Sequence, residues 1–201
     1  MIKTVIFDFG QVLVHFEPEY MVGKYVQDKG DKALLENVLF DRLYWDRLDA
    51  GTISNEEALS LAKERLPQRL WNVADTIYYN WIYNIPEVDG MRELILYIKE
   101  KYGVNTYLLS NISTYFSSHK DEIPILGLLD GYVFSGELGI VKPDREIFEH
   151  LLSKFGLKAG ECLFVDDNEK NIKGAQAVGI NTYQFDKNAS QLKKYLDSVL
   201  G

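Results

Sequence analysis

The sequence predicts an α/β protein: a parallel sheet covered by helices on both faces, interrupted after its first strand by an α-helical insertion. Two observations carry this reading. From about residue 87 onward, short runs of β-branched and aromatic residues alternate with amphipathic helical stripes, the pattern of right-handed βαβ crossovers. Residues 15–86, by contrast, are rich in Leu, Tyr, Trp, Glu and Lys and lack strand alternation, so they read as helices. A chain of 201 residues suits one core with a modest subdomain added to it. The expected division is a core of residues 1–14 and 87–201 and a cap of residues 15–86.

The elements follow in order. Residues 2–7 form the first strand. Within the insertion, Ser54 ahead of Asn55, Glu56 and Glu57 marks a helix start with acidic residues in its first turn. Pro86 and Gly90 mark the return to the sheet. Met91, Leu94, Ile95, Ile98 and Tyr102 then share one helical face, and Gly103 stands where a left-handed C-terminal cap belongs. Strands are expected at residues 104–109, 132–134, 161–165 and 181–185. A stripe of Ile147, Phe148, Leu151, Leu152 and Phe155 is opened by Pro143 and closed by Gly156. Ile172, Ala175 and Val178 precede Gly179 in the same way, and Leu192, Tyr195, Leu196 and Val199 make the last face. The result is a Rossmann-like sheet of about five strands, with no internal repeats or low-complexity tracts.

Composition narrows the classes of function. The chain is 46% hydrophobic and 26% charged, as ordinary globular proteins are. A net charge of −8 argues against a nucleic-acid partner or an anionic membrane surface, either of which wants clustered Lys and Arg. The one cysteine, Cys162, falls in a predicted strand and reads as core. The N-terminal MIKTVIFDFG reads directly as a strand, and no apolar run reaches the length of a membrane span. These features set the expectation of a cytoplasmic, monomeric protein acting on a small molecule.

The polar residues that close the strands point to chemistry. Asp8, Ser110-Asn111 and Asp166-Asp167 each follow an apolar run, and Lys142 leads into the helix before residues 161–165. In an open α/β sheet, the loops at the strand C-termini converge on one rim, where ligands bind. Each residue alone has a plainer reading. Asp8 could end a turn, Ser110-Asn111 could cap a helix, and Lys142 could be a solvated lysine. Asp166-Asp167 is harder to explain structurally, since adjacent carboxylates ending a buried strand repel unless a cation compensates. Together the set suits phosphoryl transfer. Asp8 would be the nucleophile, Ser110 and the backbone near Asn111 would donate to the transferring group, and Lys142 would hold the phosphate. Mg²⁺ would be held by Asp8 and Asp167, with Asp166 acting through water or by orientation. In the insertion, Trp45 and Arg47 are candidates for substrate contact, with cap-core packing as the plainer reading.

In this order and at these separations, VIFDFGQVLV, YLLSN, VKPD and LFVDDN resemble the four motifs of the haloacid dehalogenase superfamily. The resemblance covers residues 2–14 and about 87–185, and Asn171 after Asp166-Asp167 belongs to the same pattern. YWDRLDAGTISNEE (residues 44–57) is similar to a helix start found in small caps of that family. It implies a Mg²⁺-dependent phosphatase working through an aspartyl-phosphate on Asp8, with the Gly10 carbonyl as a further metal ligand. The family's phosphatases usually carry a second Asp where this chain has Gly10, a residue that protonates the leaving alcohol and activates water. The Asp-x-Gly form resembles small bacterial phosphatases, some assigned to sugar 1-phosphates, and an anomeric phosphate leaves more easily than an alkyl one. Two other readings follow from Gly10: a metal-independent 2-haloacid dehalogenase, or a phosphate-binding protein without turnover.

Overall fold

The computed structural model describes residues 1–83 and 85–201. Five parallel strands form one sheet in the order β3-β2-β1-β4-β5: β1 (Thr4–Phe7), β2 (Asn105–Ser110), β3 (Gly131–Phe134), β4 (Cys162–Asp166) and β5 (Asn181–Gln184). Side chains alternate across a pleated strand, so β1 to β4 each feed two cores. Val5, Phe7, Leu108, Leu163 and Val165 lie in one, with Phe116, Leu94, Ile95, Ile98, Leu192 and Leu196. Ile6, Tyr107, Leu109, Val133 and Phe164 lie in the other, with Ile147, Phe148, Leu151, Ile172 and Ala175. The covering helices are α6 (Met91–Tyr102) and α11 (Ala189–Leu200) on the first face, α9 (Arg145–Phe155) and α10 (Glu169–Ala177) on the second. Two short helices, α7 (Thr114–Ser118) and α8 (Ser135–Leu138), follow β2 and β3.

The stretch between β1 and α6 is helical: α1 (Pro18–Gly23), α2 (Lys29–Leu39), α3 (Arg42–Asp49), α4 (Asn55–Glu64) and α5 (Trp71–Asn80). Its N-caps carry it locally. The side chains of Asp28, Asp41 and Ser54 accept from the amides of Asp31, Leu43 and Glu57, satisfying amides that have no partner inside the helix. An apolar cluster drawn from residues 22–79, including Val22, Leu35, Leu48, Leu59 and Ile77, fills its interior. The chain enters and leaves this unit side by side. His15 N–H donates to the Pro86 carbonyl at 2.8 Å, and Val88 N–H donates to the Leu13 carbonyl at 2.9 Å.

Three expected details shift. Strand β4 runs through Asp166, so this carboxylate sits on the strand and is fully buried. Helix α9 begins at Arg145 and not at Pro143. Lys142 and Pro143 are joined by a cis peptide inside a turn closed by Asp144 N–H on the Val141 carbonyl, so Lys142 sits within a turn rather than starting the helix. No helix of the described residues is long and apolar enough to cross a membrane.

Candidate active site

Sheet register assembles the site. Phe7 is level with Leu108 on β2 and Val165 on β4, so the next residues out, Asp8 and Asp166, emerge side by side, with Ser110 just beyond on β2. The chain runs from β1 to one side of the sheet and later returns to the other. The rim beside β1 and β4 is therefore the point where strand order reverses and a crevice opens. A cleft of ≈ 570 Å³ lies there, lined by Asp8, Gly10, Ser110, Asn111, Lys142 and Asp167 from the core side.

Lys142 is the electrostatic centre. Its Nζ lies 2.8 Å from Asp8 Oδ1 and 2.8 Å from Asp166 Oδ2, with the lysine and Asp166 side chains essentially sealed from solvent. Burial alone would lower the lysine's affinity for its proton, but the Asp166 and Asp8 carboxylates outweigh it and hold the ammonium charged. Asp8 is pushed up to about 7, chiefly by burial and further by Asp166, against the pull of Lys142. Asp167 is raised too, by burial and then by Asp166. Asp166 is held from several sides: Asn171 Nδ2 reaches both its oxygens at 3.1 and 3.0 Å, and Asn168 N–H donates to Oδ1 at 2.8 Å. Asp8, Asp166 and Asp167 each offer an oxygen within 4.8 Å of the others. Three hard oxygen donors, two of them with raised proton affinity, fit a hard divalent cation that would relieve their repulsion.

Asn111 differs from expectation. Its amide faces the loop of Lys142, with Nδ2 donating to the Lys142 carbonyl at 2.9 Å and Oδ1 accepting the Lys142 N–H at 2.7 Å. The side chain thus positions the lysine, with its hydrogen-bonding capacity largely used there.

The insertion supplies the other wall: Phe16, Pro18, Phe40, Arg42, Trp45, Asp49 and Trp81. The Trp45 ring packs at 5.5 Å from both Phe16 and Trp81 and at 5.2 Å from Phe40. Trp45 therefore both lines the cleft and knits the insertion together. Arg47 is exposed and does not line the cleft. At about 100° per residue, positions 45 and 47 cannot share a helical face, whereas 42, 45 and 49 can. Arg42 and Asp49 are the charged cleft residues of the insertion that the sequence reading missed, and their i, i+3, i+7 spacing with Trp45 is the signal that could have found them.

A profile for haloacid dehalogenase-like hydrolases matches residues 2–179. The chain belongs to this family. The chain is similar to a D-ribitol-5-phosphate phosphatase of Bacteroides thetaiotaomicron, 27% identical with 94% of each chain covered. A sesquiterpene phosphatase of Aspergillus oryzae is also 27% identical, over 89% of this chain and 87% of that one. The fold matches a haloacid dehalogenase-family enzyme of B. thetaiotaomicron solved with magnesium and inorganic phosphate. The TM-score is 0.73 at 23% identity, covering 96% and 99% of the two chains. An L-2-haloacid dehalogenase of Xanthobacter autotrophicus matches at a TM-score of 0.67 and 16% identity, with 99% and 84% covered.

Proposed function

We propose that this hydrolase is a Mg²⁺-dependent phosphatase of small phosphate monoesters, sugar phosphates favoured, working through an aspartyl-phosphate on Asp8. One observation carries the reading: a buried lysine bridges two carboxylates at the rim of a cleft that a third carboxylate shares. Asp8 Oδ would attack phosphorus while Lys142 offsets charge on the equatorial oxygens and the Ser110 hydroxyl, at the end of β2, donates to one of them. Asp8 and Asp167, with the Gly10 carbonyl, would hold Mg²⁺. Asp166, fixed by Asn171, Asn168 and Lys142, orients that set. When bound, the cation neutralises the carboxylates and the phosphate oxygens. The helices of residues 15–86 act as the cap, a reading supported by their own apolar cluster and the paired crossing of the chain at Leu13–His15 and Pro86–Val88. Trp45 and Arg42 face the leaving group from that side. The names of the two phosphatase relatives support the phosphate-ester class and differ in the alcohol. Every residue in this scheme comes from one copy of the chain.

The test is inorganic phosphate release from a panel of sugar, alkyl and aryl phosphates, with Mg²⁺ and with EDTA, for wild type and Asp8→Asn. Release that requires the cation and disappears in the variant is expected. Release that persists in EDTA, or in Asp8→Asn, would overturn the reading. The metal-free dehalogenase alternative draws on Gly10 alone and gives no role to the third carboxylate.

A further inference from the structure

Transfer of phosphorus to Asp8 leaves an alkoxide on the opposite side of the phosphoryl group, and an aliphatic alkoxide at neutral pH needs a proton as it departs. Gly10 has no side chain to give one. Three carboxyl groups line the cleft among the described residues: Asp8, Asp167 and Asp49. The first two belong to the acidic triplet. Asp49 does not, and it comes from the insertion, across the cleft from the sheet.

The surroundings of Asp49 are those of a group held for use. It is 8% exposed, yet among the described residues its carboxyl makes no hydrogen bond or ion pair. Arg42, on the same face of α3, is instead paired with Asp46 at 2.7 Å. Its backbone is fixed to the core. The Ser135 hydroxyl donates to the Asp49 carbonyl at 2.5 Å and itself accepts the Ile112 N–H at 2.9 Å. Two residues on, Gly51 lies so close to Gly136 that a Cβ there would collide with the Gly136 carbonyl oxygen. The end of α3 is thus seated on the segments that follow β2 and β3, and its last residue looks into the cleft. Burial also raises the Asp49 carboxyl well above the usual carboxylate range, the direction a proton donor requires.

We propose that Asp49 is the general acid and base of this enzyme, supplying from the cap the proton that Gly10 cannot; this rests on the aspartyl-phosphate reading above. In the first step an Asp8 oxygen bonds to phosphorus, the bond from phosphorus to the ester oxygen breaks, and that oxygen takes the Asp49 proton to leave as the alcohol. In the second, the Asp49 carboxylate accepts a proton from a water whose oxygen attacks phosphorus. The phosphorus–Asp8 bond breaks, inorganic phosphate is released, and both aspartates return to their starting states.

The test compares wild type with Asp49→Asn, near-isosteric and free of an ionisable proton. Two esters are used: p-nitrophenyl phosphate, and the aliphatic ester on which wild type is most active in the panel above. A melting curve of each protein confirms that both are folded. Turnover of the aliphatic ester should fall by ~10²–10⁴-fold. p-Nitrophenolate leaves without a proton, so the variant should still release one equivalent of it rapidly and then stall with phosphate on Asp8. Aliphatic turnover within about threefold of wild type would overturn the assignment, since acid–base assistance is worth far more than that. So would equal losses on both esters with no nitrophenolate burst. A wild type that turns over neither ester, or an active Asp8→Asn, would instead bring down the phosphatase reading.

Discussion

The Asn111 side chain clamps the backbone of Lys142 at both polar groups, donating to its carbonyl at 2.9 Å and accepting from its amide at 2.7 Å. Because Lys142 then bridges Asp8 and Asp166, the asparagine at the end of β2 sets the position of an ammonium 31 residues away. Asn111→Ala removes both bonds and leaves two part-buried backbone groups to find water. At about 1 kcal/mol net for each bond, a stability loss of roughly 2 kcal/mol is expected. kcat should fall more than KM rises, because the lysine is displaced rather than removed. A variant with wild-type kcat would show that the loop holds Lys142 without this clamp.

Lys142 is also expected to be a stability determinant, apart from its proposed contact with phosphate. Its removal strands Asp166, wholly buried, and Asp8 beside it without their counter-charge. Breaking a buried ion pair from one side costs about 3–5 kcal/mol, roughly 6–20 °C of melting temperature for a chain of this size. Lys142→Met should show that loss in metal-free protein at pH 8. It should show less at pH 5: Asp8 is pushed up to about 7 even with Lys142 pulling it down, and further without the lysine, so at pH 5 it holds a proton in either protein. Added Mg²⁺ should also narrow the gap. Calorimetry that finds the deficit unchanged by pH and by Mg²⁺ would refute this account.

Trp45 and Arg47 separate two effects expected of them jointly. The Trp45 ring is shared between the cleft wall and a cluster with Phe16, Phe40 and Trp81. Trp45→Ala should therefore change the ranking of substrates and also cost about 3 kcal/mol of stability, at the low end for deletion of a large aromatic because the ring is only partly buried. Arg47 is exposed and off the cleft, so Arg47→Ala should leave both within error. Activity profiles and melting curves on the two variants check this. Altered selectivity in Arg47→Ala would mean that the helical insertion moves enough to bring it over the cleft.

What could be read in the chain, and what could not, has a common cause. Asp8, Ser110 and Asp166 end apolar runs of a parallel sheet, and such a sheet has one rim where its strand C-termini meet, so linear order already placed them together. The helical nature of the insertion was legible in Ser54 and the acidic turn after it, a local signal that the cap geometry realises. Asp49 was not legible. In the string DRLDAG it is one of two aspartates on a charged helix, and nothing nearby hides it. The end of its helix is seated by residues far along the chain, Ser135 on the Asp49 carbonyl and Gly136 against Gly51, which meet it only after the insertion docks. Arg47 is a different case: residues two apart on a helix point about 200° apart, so a cleft-facing Trp45 turns Arg47 away wherever α3 begins.

Asp49 also gives the clearest dependence of stability on pH. Its carboxyl is raised in the folded protein first by burial, with Asp46 and Asp8 adding to the effect and Arg42 and Lys142 opposing it. In the unfolded chain it should titrate near the ordinary value of about 3.9. Below that pH both states hold the proton and the group contributes no pH dependence. As pH rises above it, the unfolded chain releases its proton first, so the native state loses stability relative to it until the folded group also ionises. Asn at this position cannot titrate. The melting temperature of Asp49→Asn relative to wild type should therefore climb from pH 4 upward in metal-free protein, by ~2–4 °C for each kcal/mol. This would be a gain in stability where activity is lost. A difference that stays flat from pH 4 to pH 8 would show that Asp49 ionises as freely in the fold as in the open chain, and would remove the electrostatic support for its role as the proton donor.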